Sequence, residues 1–265
     1  MFVEIAHKQP AEDLNKDFFY RGIFTKKMIE RFCLKVHTSA FQWRENKAYN
    51  LYGWLMSQVS EAFGDDVHKD GFSPISQYLK IPNGDDKDHA EWDITLLSDE
   101  ASEELADTID NITVIPLKDG MAEVTGSEWE SLADPSEAAV DTDISTIHFL
   151  TTTSFKVNGR YKVLPDVEHI VSSMINQWNI LSDDVISEDE KTAITEGLVV
   201  RGFKMHSSAF RLKKVSIPGF KGEITIEQKI KDQRIRDLWK KAAGLSQYTG
   251  LGIKTTLGMG GVSIN

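Results

Sequence analysis

The chain has 265 residues, of which 40% are hydrophobic and 27% charged, with a formal net charge of −11 and a single cysteine, Cys33. A chain of that length buries a substantial core, expected as two domains, and its composition is that of a soluble globular protein. One cysteine excludes an internal disulfide framework and any cysteine-rich metal site. With no apolar run of membrane-spanning length and no apolar signal core in "MFVEIAHKQP", the expected location is the cytoplasm.

Residues 1–27, including the mixed polar and aromatic "PAEDLNKDFFYRGIFTKK", read as an N-terminal extension with a short helix packed on the first domain. The alternating "RFCLKVHTSAF" (31–41) predicts a strand. A helix is predicted over residues 45–63, with Leu51, Trp54, Leu55, Val59 and Phe63 on one face and Gly64 as its stop. The loop "DDVHKDGFSP" leads to a weak strand at 75–81, and "EWDITLL" (91–97) is a stronger one. Ser98 is placed to cap a second helix whose first turn is acidic, as the helix dipole favours. "NITVIPL" (111–117) returns as the fourth strand, followed by a hairpin arm around 121–130.

A polar stretch with Pro135 (131–143) reads as a linker, and the order of elements then repeats. "STIHFLTTTSF" is a strand and "PDVEHIVSSMINQW" a helix with Val167, Ile170, Val171, Met174, Ile175 and Trp178 at helical spacing. "EGLVVRGFKMHSSAF" and "GFKGEITIEQ" are strands, and "KDQRIRDLWKKAAGL" is a helix with Ile235, Leu238, Trp239 and Ala242 facing inward. "GVSI" supplies the last strand. The fold class is therefore α+β, a tandem pair of ferredoxin-like (RRM-like) βαββαβ units spanning residues 28–130 and 144–265.

Charge is divided along the chain. From Glu61 to Asp143 there are 23 acidic residues against 4 Lys/Arg, whereas Glu196 to Gly261 holds 13 Lys/Arg against 5 acids. The basic segment carries "GLGIKTTLGMGG" (250–261), and this combination is compatible with a phosphate backbone as ligand. The stretch is not a P-loop, since Ile253 separates Gly252 from Lys254. Nor is it a dinucleotide fingerprint, since Thr255 stands where a third glycine is needed and no helix can follow. Glycines at this density let backbone approach a ligand closely, so substitution at Gly258 or Gly260 should harm ligand binding more than stability; the alternative is a glycine-rich closure of a sheet.

A tandem pair of this kind ending in "YTGLGIKTTLGMGG" resembles the RAMP proteins of CRISPR systems, above all their repeat-cleaving endoribonucleases, the Cas-six (Cas6) family, of the kind that accompanies type III systems. The stretches 49–72, 149–179 and 207–227 extend the resemblance over nearly everything from Met28 onward. It implies metal-independent cleavage by a ribose 2′-OH, with His68, on the loop just beyond the first helix, as general acid or base. Histidine suits that role because its charge changes near neutral pH. Lys69 or Lys80 would stabilise the phosphorane, and Tyr52 would substitute for a tyrosine whose place Met56 occupies; no lysine stands at the family's short spacing after the histidine.

RNA binding is expected from the amides of Gly250, Gly252, Gly258, Gly260 and Gly261, from Lys254, and from Arg201, Lys204, Arg211, Lys213, Lys214 and Lys221. The stretch "FKVNGRYK" (155–162) resembles a hairpin of the family and adds Lys156 and Arg160. His37, His148, His169 and His206 are read as packed or surface residues with no tight metal-ligand spacing, so no metal or other cofactor is expected. The expected partners are repeat RNA and precursor crRNA, with transient contact to a type III effector complex, for a monomer or homodimer. A non-cleaving RAMP subunit bound to crRNA is the first alternative. A regulatory module binding a small ligand is the second, though it leaves the basic C-terminal third unexplained.

Overall fold

The structure, a computed structural model, describes residues 28–69, 73–82, 87–213 and 215–265; the extension 1–27 and Lys214 lie outside the described residues. Its first sheet has the order β2-β3-β1-β5-β4, built from β1 (Ile29–His37), β2 (Ile75–Lys80), β3 (His89–Leu96), β4 (Val114–Leu117) and β5 (Gly120–Leu132). All pairings are antiparallel. The residues expected as a hairpin arm, β5, pair with β1 along its whole length, while the expected fourth strand is the short edge strand β4. Pro116 explains the exchange: lacking an amide proton, it suits an edge.

The single helix predicted over 45–63 is broken into a 3-10 turn (Glu45–Lys47), α1 (Ala48–Leu55) and α2 (Glu61–Lys69). Ser57 turns its amide and hydroxyl back onto the Trp54 carbonyl, competing with helical bonding. Ser60 restarts the helix by accepting from the Phe63 amide, and its own amide and hydroxyl bond the Glu104 carboxylate at 2.8 and 2.6 Å. Gly64 is therefore inside α2, its amide bonded to the Ser60 carbonyl at 3.0 Å, and it stops nothing. The inward face is as expected: Leu51 and Leu55 are buried, with Trp54, Val59 and Phe63 packed against the same core. Helix α3 (Asp99–Asn111) follows the predicted cap, Ser98 accepting from the Ala101 amide.

The second sheet has the order β11-β6-β10-β9, from β6 (Ile144–Thr153), β9 (Leu198–Leu212), β10 (Val215–Gln228) and β11 (Val262–Ile264). A small hairpin of β7 (Phe155–Val157) and β8 (Arg160–Lys162) leaves the end of β6. Helices α4 (Val167–Leu181) and α6 (Gln233–Thr249) bury Ile170, Val171, Met174, Trp178, Leu238 and Trp239 against this sheet. Between α4 and β9 the chain forms α5 (Glu188–Glu196), which the strand-and-helix reading did not include. It is opened by a capping box of Ser187 and Glu190. Both sheets show the ferredoxin-like order, with a first strand between the third and fourth. Their cores are continuous, since Ile29, Leu97 and Leu132 of the first half join the cluster of the second. Residues 133–143 also pack down, the Val140 amide bonding the Lys240 carbonyl of α6 at 3.1 Å. No helix among the described residues is long and apolar enough to cross a membrane.

Candidate functional site

The glycine-rich stretch lies where the two halves meet. Beyond α6 it passes along β2, the edge strand of the first sheet, before β11 rejoins the second. Most of its amides are already bonded: Gly250 to the Ser246 carbonyl, Gly252 to the Ser173 hydroxyl, Ile253 to the Ser154 carbonyl, Gly260 to the Thr152 carbonyl and Gly261 to the Thr151 hydroxyl. A phosphate cradle made by all the loop's glycine amides is thus ruled out by their protein partners. What remains is the single 3-10 turn Thr255–Leu257, whose first amides have no carbonyl inside the turn.

Two glycines here are demanded by space. Gly260 has φ 74°, and a Cβ on it would fall 2.1 Å from the Leu251 carbonyl oxygen; Gly258 has φ 104°, and its Cβ would fall 2.4 Å from the Ala48 Cβ. The expectation that these positions serve binding more than stability is corrected on that ground.

Around the turn the chain presents cations. Lys254 has a left-handed backbone (φ 59°) and an exposed side chain, and its carbonyl accepts from the Leu257 and Met259 amides. Phe210 and Ile217, from the β9–β10 hairpin, pack on Met259 and Ile253 of the loop. This brings the hairpin's end, Arg211 and Lys213, beside it. Lys213 lies 5.5 Å over the ring of Tyr49 on α1, and the Tyr49 hydroxyl raises the ammonium's pKa. On the other side, Ser154, which holds Ile253, leads into the β7–β8 hairpin with exposed Lys156 and Arg160. Lys204, Arg211, Lys156, Arg160 and Lys254 have no carboxylate partner among the described residues. Arg201 and Lys221 do: Arg201 is paired with Glu227, and Lys221 with Glu45 at 3.3 Å.

The residues expected around the cleavage chemistry are separated. His68 and Lys69 lie in the last turn of α2 rather than on a loop, and their side chains are outside the described residues. Tyr52 is a core residue, 8% exposed, and burial pushes its phenol pKa up while Ser73 hydrogen-bonds it. It therefore does not offer a solvent-facing hydroxyl. Lys80 alternates with Leu79 along β2, so it lies on the sheet face opposite the helices, paired with Glu91 at 2.8 Å.

Two polar residues that sequence reading passed over hold this region together. Gln77, 1% exposed, donates to the Ala48 carbonyl at 3.1 Å and the Thr256 carbonyl at 2.7 Å, and accepts from the Trp92 indole at 2.9 Å. It ties the start of α1 to the glycine-rich turn, and removing it would orphan buried groups at roughly 1–3 kcal/mol each. Glu45 accepts from the Thr152 amide and hydroxyl and pairs with Lys221, joining the turn before α1 to the second sheet. A glutamine inside a strand pattern was the available signal for the first; Glu45 carried none.

A family model for the CRISPR-associated endoribonuclease Cas6 matches residues 147–262. The chain is 25% identical over 229 residues to a CRISPR-associated endoribonuclease Cas6 of Streptococcus thermophilus, covering 83% of this chain and 92% of that protein. To its counterpart from Mycobacterium tuberculosis it is 26% identical over 227 residues, covering 81% and 70%. Among solved structures, a Cas6 product complex matches with TM-score 0.75 at 23% identity over 90% of this chain and 99% of that one. Thermus thermophilus Cas6 matches with TM-score 0.71 at 21% identity, over 91% and 100%. These structural likenesses show the tandem ferredoxin-like fold.

Proposed function

We propose that the chain is a member of the CRISPR-associated Cas6 endoribonuclease family, whose model it matches over residues 147–262, and that it binds CRISPR repeat RNA and cuts precursor transcripts within the repeat, in the cytoplasm and without a metal ion. The ribose 2′-OH before the scissile bond attacks the adjacent phosphorus, the bond to the 5′-oxygen breaks, and the products carry a cyclic phosphate and a 5′-OH. His68 takes or gives the proton in this scheme, and Lys69 offers charge to the phosphorane. The observation that carries the reading is the half-buried turn that follows the exposed Lys254, flanked by cations without carboxylate partners on an otherwise acidic chain.

Labelled repeat RNA incubated with the protein in chelator tests it. Cleavage should persist, and the upstream product should end in a cyclic phosphate. A repeat with one 2′-deoxy nucleotide before the scissile bond should bind and stay whole, while His68→Ala should slow single-turnover cleavage by at least about a hundredfold with binding held within a few-fold. Binding without cleavage by the unaltered protein would turn the assignment to a non-cleaving RAMP subunit. Undiminished cleavage by His68→Ala would remove that residue's role alone.

A further inference from the structure

We propose that the groove between the turn leading into α1 and strand β9 is a nucleotide subsite that reads one unpaired base beside the glycine-rich turn; this rests on the RNA-binding reading above. The groove has a volume of about 700 Å³, with Phe41, Gln42, Arg44 and Asn46 on one wall and Ala209 and Arg211 on the other. That volume lies in the range of roughly 300–1,000 Å³ typical of small-ligand sites.

Unspent bonding capacity marks it out. Gln42, Arg44 and Arg211 are exposed and Asn46 is half-buried, and none of these four side chains has a hydrogen-bond or ion-pair partner among the described residues. The other charges of the groove are already neutralised, Lys47 by Asp119 and Glu45 by Lys221. Two guanidiniums are left over, and their planar forks suit phosphate oxygens. The two carboxamides each offer donors and an acceptor, which is what a base edge requires and a phosphate does not. Phe41, held edge-on to Trp43 at 5.0 Å between ring centres, gives the groove an apolar wall. Base edges are open to such contacts when the strand is single.

The position relative to the loop is fixed by the chain itself. Lys47 is followed directly by Ala48, the residue against which Gly258 packs. A strand lying on the glycine-rich turn therefore has its neighbouring nucleotide at the mouth of the groove.

The test is a binding series with repeat RNAs in which one nucleotide at a time is abasic, run with the unaltered protein, with Gln42→Ala/Asn46→Ala and with Arg44→Ala/Arg211→Ala. In the unaltered protein one abasic position should weaken binding by about tenfold, as loss of a read or stacked base does. The amide variant should bind intact repeat correspondingly less well and suffer no further loss at that position. The arginine variant should weaken every RNA alike and reduce the slope of log K against log salt by about 1.4, two single-strand phosphate contacts. Persistence of every abasic penalty in the amide variant, with intact repeat still cut, overturns the subsite and leaves the nuclease reading standing. Failure of the unaltered protein to bind repeat RNA at all overturns both. None of the four side chains supports another, so melting temperatures should match the unaltered protein.

Discussion

Lys254 shows how much one residue's backbone decides. In the left-handed region a lysine is unusual, and its carbonyl there closes the turn by accepting from Leu257 and Met259 while the ammonium stays in solvent. The side chain has no partner among the described residues, so its removal should cost little stability. Lys254→Ala should weaken repeat binding and lower the salt slope by about 0.7, the single-strand value for one phosphate. An unchanged slope in binding titrations at several salt concentrations would mean that the ammonium meets no RNA. Tyr52 makes the complementary point: a tyrosine one turn from Met56 looked available in the sequence, but tertiary packing turned it inward onto Ser73.

At the scale of elements, the glycine-rich stretch is a joint. It packs along the edge of β2 and is held there by Gln77, so its glycines serve close approach of backbone to Leu251 and Ala48. Gly260→Val should cost several kcal/mol, since a left-handed β-branched residue alone costs about 1–3 kcal/mol and the Cβ also collides with a carbonyl. Thermal melting reads this directly, and a near-normal melting temperature with lost RNA binding would reverse the assignment. Helix α5 offers a control away from the loop. Its box of Ser187 and Glu190 satisfies two end amides, so Ser187→Ala should lower stability by about 1 kcal/mol in denaturant titration and leave RNA cleavage unchanged.

At the scale of the molecule, Arg31 links the halves. Its guanidinium bonds Asp93 on β3 at 2.6 Å, reaches Glu130 on β5 and Tyr78 on β2, and lies 5.5 Å over the ring of Tyr248 on α6. Burial alone would raise the Asp93 carboxyl, and the arginine opposes that. Arg31→Met should therefore destabilise by about 3–5 kcal/mol, the cost of a buried charge left alone. With its pKa raised in the folded state, Asp93 binds its proton more tightly folded than unfolded, so the variant's deficit should be largest near neutrality and shrink as pH falls through the raised folded pKa towards the ordinary carboxylate range. Denaturant midpoints across pH check this, and a deficit independent of pH would show that the loss is one of packing alone.

Order of elements, helix faces and caps were legible because they are local. The alternation of β1, the spacing of Leu51 and Leu55, and Ser98 before an acidic turn are set by nearest neighbours along the chain. Pro116 and the Ser187–Glu190 spacing were equally local, and there to be read. The sequence by itself thus determined a tandem α+β chain with a basic glycine-rich end. Only the tertiary structure decided which of its polar groups are free. Whether a glycine amide meets Ser173 or solvent, and whether Arg201 finds Glu227 while Arg211 finds no carboxylate, depend on residues far apart in the chain. Spacing carries no record of such pairings, because hydrogen bonds and ion pairs are made between elements after each element's own pattern is satisfied.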